Sequence, residues 1–171
     1  DNIRQVSLKR LGDTQNKTIF INGIGTGLDI PYLPSANYIG SDITPAMLQR
    51  AKAKSKEHNC PIELICADSQ SLPFGDNSFD VIVMHLILAV VPKPELALKE
   101  ACRVLKPGGK IYLLDKFLRP GQIAPVRRLL NIVLRHIATR TDVVFEHVLQ
   151  HCQELQCLSD KPALAGGWLR L

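Results

Sequence analysis

A run of five residues that reads as a buried strand, Thr18 to Asn22, passes without a spacer into Gly23-Ile24-Gly25-Thr26-Gly27. No other segment constrains the fold as strongly. Glycines at alternate positions let the backbone turn sharply where a strand ends, and they let a ligand approach main-chain N–H groups closely. The dinucleotide fingerprint G-x-G-x-x-G needs a third glycine at position 28, where this chain has Leu28. The spacing here is G-x-G-x-G, which suits a ligand with no pyrophosphate to hold. Taken alone, the run is equally compatible with an ordinary strand-to-helix turn.

The chain around it alternates strand and helix. Asn37 to Asp42 reads as a second strand. Thr44 and Pro45 cap and open a helix that runs to about His58, with Met47, Leu48, Ala51 and Ser55 on one side. Pro61 to Asp68 reads as a third strand. Phe79 to His85 is a fourth, nearly continuous in apolar residues and therefore expected at the centre of a sheet. Pro94 to Lys106 reads as a helix stopped by Pro107-Gly108-Gly109, and Lys110 to Phe117 as a fifth strand. This order predicts an α/β fold, a Rossmann-like, doubly wound and mostly parallel sheet covered on both faces. A further short helix is expected near Asp142. The tail from Leu155 to Leu171, around Ala165-Gly166-Gly167, reads as an antiparallel C-terminal strand pair. At 171 residues and 46% hydrophobic composition the chain fits one domain. Residues 18–117 form the ligand-binding core, and 118–171 supply substrate-side helices and the terminal strands.

The five cysteines are odd in number and contain no C-x-x-C pair, so neither a disulfide framework nor a metal site is expected. No signal peptide is visible. The longest apolar run, Val81 to Val91, is interrupted by His85 and is too short to span a bilayer. The expectation is a soluble cytoplasmic protein.

Two carboxylates stand at strand ends. Asp42 follows Gly23 by 19 residues and suits the two hydroxyls of a ribose; as a charge at a helix N-terminus it has a purely structural reading too. Asp68, in Ala67-Asp68-Ser69, suits the exocyclic amine of an adenine, or is simply a turn aspartate. Both lie beside the glycine turn, at the edge where open α/β sheets bind ligands, and this joint placement favours a ligand site.

The run Ile19 to Gly27, then Gly40-Ser41-Asp42-Ile43-Thr44-Pro45-Ala46-Met47-Leu48, then Ala67 to Phe74, Ser78 to Val83 and Arg103 to Lys110, resembles the motif series of class I S-adenosylmethionine-dependent methyltransferases. The resemblance implies that Gly23, Gly25, Thr26 and Gly27 cradle the methionine part of the cofactor. It implies that Asp42 holds the ribose, with Ile43, Met47, Asp68, Ser69 and His85 completing the cofactor site. Such chains usually carry an acidic residue two places before the first glycine; here that place is Ile21, next to Asn22. His85, at the end of the fourth strand, is the candidate general base, with a packed core histidine as the alternative.

Charge bears on the acceptor. The chain has 21 Lys and Arg against 16 Asp and Glu. Six of the basic residues (Lys116, Arg119, Arg127, Arg128, Arg135 and Arg140) fall between Asp115 and Asp142, with no acid among them, and the remainder counts 15 against 16. Residues Pro125 to Ile137 read as an amphipathic helix with Arg127, Arg128, Asn131 and Arg135 opposite the apolar stripe. Such a helix suits peripheral contact with an anionic membrane, or packing on the core with a solvated basic face. Leu86 to Pro94 and Asp115-Lys116-Phe117 resemble soluble bacterial phosphatidylethanolamine N-methyltransferases, and quinone-ring C-methyltransferases share the earlier motifs. The expected acceptor is therefore a small or lipid-like molecule, such as a phospholipid amine, and no nucleic acid. A non-catalytic cofactor- or lipid-binding relative and an NAD-dependent oxidoreductase are the readings from other classes. The missing third glycine speaks against the latter.

Overall fold

The strands β1 (Thr18–Asn22), β2 (Asn37–Asp42), β3 (Ile62–Cys66), β4 (Phe79–His85) and β5 (Leu105–Leu114) pair in the order β3-β2-β1-β4-β5. Every strand pairing is parallel. This order reverses direction at β1, so the crevice at the carboxyl ends of β1, β2 and β4 is the topological switch point. The structure is a computed structural model, and it describes residues 2–115, 145–152 and 155–161.

Alternation along β1 and β4 divides the core into two layers. On one face Phe20, Ile82 and Met84 pack against Leu98, Ala101 and Val104 of α3 (Pro94–Val104). There Phe20 stacks on Phe79 at 4.8 Å, and Phe74 meets both rings edge-on. Val148, on the short helix Phe145–Leu149, closes this layer. On the other face Ile19, Ile21, Val81 and Val83 pack against Leu8 and Leu11 from the N-terminus and Ala51 of α2 (Pro45–Glu57). Each fully buried Ile or Phe of this kind contributes about 1.5–3 kcal/mol through its transfer from water.

The first, second and fourth strands have the expected limits, and β3 is shorter than expected. Pro45 opens α2 as expected, but the Thr44 side chain makes no capping bond; the Asp42 carboxylate accepts the Thr44 N–H instead, at 2.8 Å. The boundary between α3 and β5 differs more. The helix stops at Val104 rather than Lys106, because the N–H groups of Asn77 and Ser78 capture the carbonyls of Arg103 and Val104. β5 then begins at Leu105, and Pro107-Gly108-Gly109 lies inside it as an irregularity opposite Phe79–Val81. Gly109 is tight there, since a Cβ would stand 2.9 Å from the Asp80 carbonyl oxygen.

Residues 155–161 carry no strand, so the first part of the expected C-terminal strand pair is irregular; Gln156, Ser159, Asp160 and Lys161 offer no alternating apolar face. The rest of that pair and the basic segment Pro125 to Ile137 lie outside the described residues. A helix near Asp142 is found at Phe145–Leu149. The N-terminal residues form α1 (Asn2–Leu8) and a 3-10 turn, Lys9–Leu11. Among the described residues no helix is long and apolar enough to cross a membrane.

Candidate cofactor site

The glycine turn is held from β2. The carbonyl of Ser41 accepts the N–H groups of both Gly23 and Ile24, at 3.0 and 2.8 Å. One oxygen of Asp42 accepts the Gly25 N–H at 3.0 Å, while the other accepts that of Thr44. Asp42 thus joins the turn after β1 to the first turn of α2, and its half-exposed carboxylate keeps lone pairs for a diol.

The three glycines serve different ends. All have positive φ, which side-chain-bearing residues rarely adopt. A Cβ on Gly23 would strike Ile87 at 2.7 Å, and one on Gly27 would meet Ile30 at 2.6 Å. At both positions a side chain would have to displace an apolar neighbour. A Cβ on Gly25 would meet nothing within 4 Å, so Gly25 faces open space beside Asp42. Thr26 lies between them, half-buried. Next to this space Ile43 is 64% exposed and Met47 36% exposed, which is unusual for large apolar side chains and suits the face of a base or ribose.

Asp68 lies two residues beyond β3 and is committed to its own turn. Its Oδ1 accepts the backbone N–H of Gln70 at 2.9 Å and the Gln70 side-chain amide at 3.0 Å. Gln70 Oε1 in turn accepts the Lys93 N–H. The turn-aspartate reading is therefore realised here, while the carboxylate stays half-buried at the rim with Ser69 buried behind it.

His85 is buried with both ring nitrogens engaged. Nδ1 lies 2.9 Å from Asp29 Oδ1, and Nε2 lies 2.9 Å from Ser7 Oγ. Arg4 donates to the same Asp29 oxygen at 2.8 Å. Four side chains, from α1, the end of the glycine turn and the end of β4, thus form one interior polar network. Burial alone would raise the Asp29 carboxyl, but the His85 hydrogen bond and the charges of His85 and Arg4 outweigh it and hold it below the ordinary carboxylate value of 3.8. In this arrangement His85 offers no free nitrogen to an acceptor; it ties α1 to the sheet. Ser7, Arg4 and Asp29 were not foreseen from the sequence, where nothing local marks them.

A second unforeseen pair lies under the turn. Asn22 is fully buried, and neither atom of its amide meets a protein partner. Ser41, its register partner on β2, is likewise buried with its hydroxyl unpartnered. The one sequence signal was a polar residue closing an otherwise apolar strand.

A switch-point crevice with a glycine turn, open space at Gly25, orphaned polar groups beneath it and a carboxylate at the next strand end fits a nucleoside-type cofactor, and it fits S-adenosylmethionine. Two recesses elsewhere, one around Gly12–Asn16 and Ser35–Asn37 and one along β5 beside residues 155–161, carry none of these residues. Fold and site together define a Rossmann-like cofactor-binding domain.

The family model described as a methyltransferase domain matches residues 22–113. A phosphatidylethanolamine N-methyltransferase of Cereibacter sphaeroides is 32% identical over 149 residues, covering 85% of this chain and 73% of that protein. A demethylmenaquinone methyltransferase of Lactococcus lactis is 37% identical over 118 residues, covering 66% of this chain and 47% of that protein. This chain therefore spans about half the length of that second relative. Among solved structures, a SAM-dependent methyltransferase from Aquifex aeolicus superposes with a TM-score of 0.60 at 22% identity, over 77% of each chain, a likeness of fold. The chain belongs to the methyltransferase domain family. It is an S-adenosylmethionine-dependent methyltransferase domain, and the oxidoreductase reading falls away.

Proposed function

We propose that this domain methylates a lipid-like acceptor, a phospholipid amine of the phosphatidylethanolamine type. The observation that carries the reading is the extent of the first likeness: identity to the phosphatidylethanolamine enzyme runs over 85% of the chain, well beyond the cofactor motifs. The quinone-ring carbon is the second reading, favoured by the 37% identity to the demethylmenaquinone enzyme.

When bound, the cofactor supplies an electrophilic methyl group on a sulfonium, transferred in line to the acceptor. The chain's part is to bind, orient and keep the site dry. The Gly25 side of the turn and Asp42 would hold the amino-acid and ribose parts, with Ile43 and Met47 against the nucleoside. His85 acts through position: with Asp29, Arg4 and Ser7 it seats α1 across the end of β4. The sequence of residues 116–144, basic and without an acid between Asp115 and Asp142, supports peripheral contact with an anionic membrane, where a phospholipid acceptor resides.

The test is transfer of labelled methyl from S-adenosylmethionine to vesicles containing phosphatidylethanolamine, with a demethylated quinone in parallel. Label in the monomethylated phospholipid supports the first reading. Label only in the quinone replaces it with the second, and label in neither overturns both.

A further inference from the structure

Buried polar groups in folded proteins find partners, and one left without any costs about 1–3 kcal/mol. Apart from the carboxylate of Glu146, which makes other contacts, just three buried side-chain atoms among the described residues lack a partner among protein groups. These three, Asn22 Nδ2, Asn22 Oδ1 and Ser41 Oγ, belong to adjacent register partners at the carboxyl ends of β1 and β2. They sit directly under the turn whose N–H groups the Ser41 and Asp42 oxygens already hold. Chance placement in the core would not gather them at the ligand crevice.

A second, independent sign lies above them. Leu86, the first residue after β4, has φ +59°, a left-handed conformation that is strained for leucine. Its neighbour Ile87 packs on the layer of Phe20, the face to which Asn22 also belongs by alternation. Ile87 also closes on Gly23, where a Cβ would lie 2.7 Å from its Cδ1. A left-handed backbone at Leu86, the Ile87 side chain and the orphaned polar atoms therefore gather around one residue, Gly23.

We infer that Asn22 and Ser41 form a hydrogen-bonding niche for the amino-acid end of the cofactor, with Ile87 as its movable cover. An amide and a hydroxyl each donate and accept, which matches a ligand end that carries both an ammonium and a carboxylate. Both residues bind cofactor rather than act on the methyl group. The inference rests on the cofactor assignment above.

The experiment compares wild type, Asn22→Leu and Ser41→Ala by equilibrium binding of S-adenosylhomocysteine and by thermal unfolding with and without it. Asn22→Leu removes the orphaned amide at similar volume. Without ligand its Tm should rise by about 2–6 °C. Its Kd for S-adenosylhomocysteine should weaken about tenfold or more, with a smaller ligand-induced shift. Ser41→Ala, which cannot crowd the core, should weaken binding about threefold to tenfold and lose no stability without ligand. It decides the matter if Asn22→Leu does not fold. Wild-type affinity in the variants, or variants less stable without ligand at unchanged affinity, would show structural residues only and overturn the inference. A wild-type protein that does not bind S-adenosylhomocysteine would overturn the cofactor assignment itself, and this inference with it.

Discussion

The carboxylate of Asp42 accepts the backbone N–H of Gly25 at 3.0 Å, so the residue that ends β2 also holds the turn that follows β1. Its second oxygen takes the Thr44 N–H that opens α2. One side chain thereby couples the end of β2 and the start of α2 to the glycine turn after β1.

That coupling makes Asp42→Ala costly in two ways. It removes the proposed ribose contact and releases the Gly25 N–H. Loss of hydrogen bonds to a charged group costs about 1.5–3 kcal/mol, a weakening of roughly 10- to 150-fold. Calorimetric titration with S-adenosylhomocysteine measures it, and an unchanged Kd would remove Asp42 from the site.

The Asp29 network bears on stability. Asp29→Ala leaves Arg4 and His85 without their shared partner in the interior and should cost about 3–5 kcal/mol. The folded carboxyl titrates below its unfolded value, so the charged form is favoured by folding. Its contribution is complete above pH 3.8 and is lost as pH falls below that value, through the folded pKa. In denaturant unfolding the stability gap between wild type and Asp29→Asn should be constant well above pH 3.8 and narrow as pH falls below it. Curves that stay parallel would show that Asp29 does not carry this dependence.

His85 separates two roles. A general base contributes about 10²–10⁴-fold to a rate. As a positioning residue with both nitrogens engaged, His85 should tolerate replacement by another hydrogen-bonding side chain. His85→Gln is expected to lower Tm, keep kcat within about tenfold at saturating cofactor, and leave the pH profile of the rate unmoved. A thousandfold loss of kcat with normal cofactor affinity would restore the catalytic role.

The membrane proposal is read by vesicle co-sedimentation. Each Lys or Arg at an anionic surface adds about 1 kcal/mol, so Arg127, Arg128 and Arg135 together give about 3 kcal/mol, over a hundredfold in partitioning. Binding should be strong at low salt, weak at high salt, and abolished by reversing the three charges. Wild-type protein that remains in the supernatant at low salt contradicts the proposal.

The legible parts of this fold were local. β1, β2 and β4 have the limits their sequences suggest: β1 and β4 are largely apolar runs ended by a polar residue, and β2 is a short stretch closed by Asp42 just before the Thr44-Pro45 helix start. The glycine turn and Asp42 were legible for the same reason, as a spacing along one stretch of chain. What escaped was set by distant partners. α3 ends early because Asn77 and Ser78 take its last carbonyls. The network at His85 draws on Asp29, 56 residues away, and Ser7, 78 residues away. Asp68 could not be assigned from its position alone, since the Gln70 amide that occupies it is a matter of side-chain conformation.

The central claim is that the cofactor lies against the glycine turn at the carboxyl ends of β1 and β2, and Gly25 tests it most directly. A Cβ there meets no protein atom within 4 Å, so a side chain begins in the space assigned to ligand; its backbone strain, at φ +56°, costs about 1–2 kcal/mol. Equilibrium binding of S-adenosylmethionine is measured for wild type and Gly25→Val, with circular dichroism and Tm to confirm that the variant is folded. The account predicts saturable one-to-one binding by wild type and none by the folded variant. Binding of Gly25→Val with the wild-type Kd would show that the turn is structural only and that the cofactor lies elsewhere.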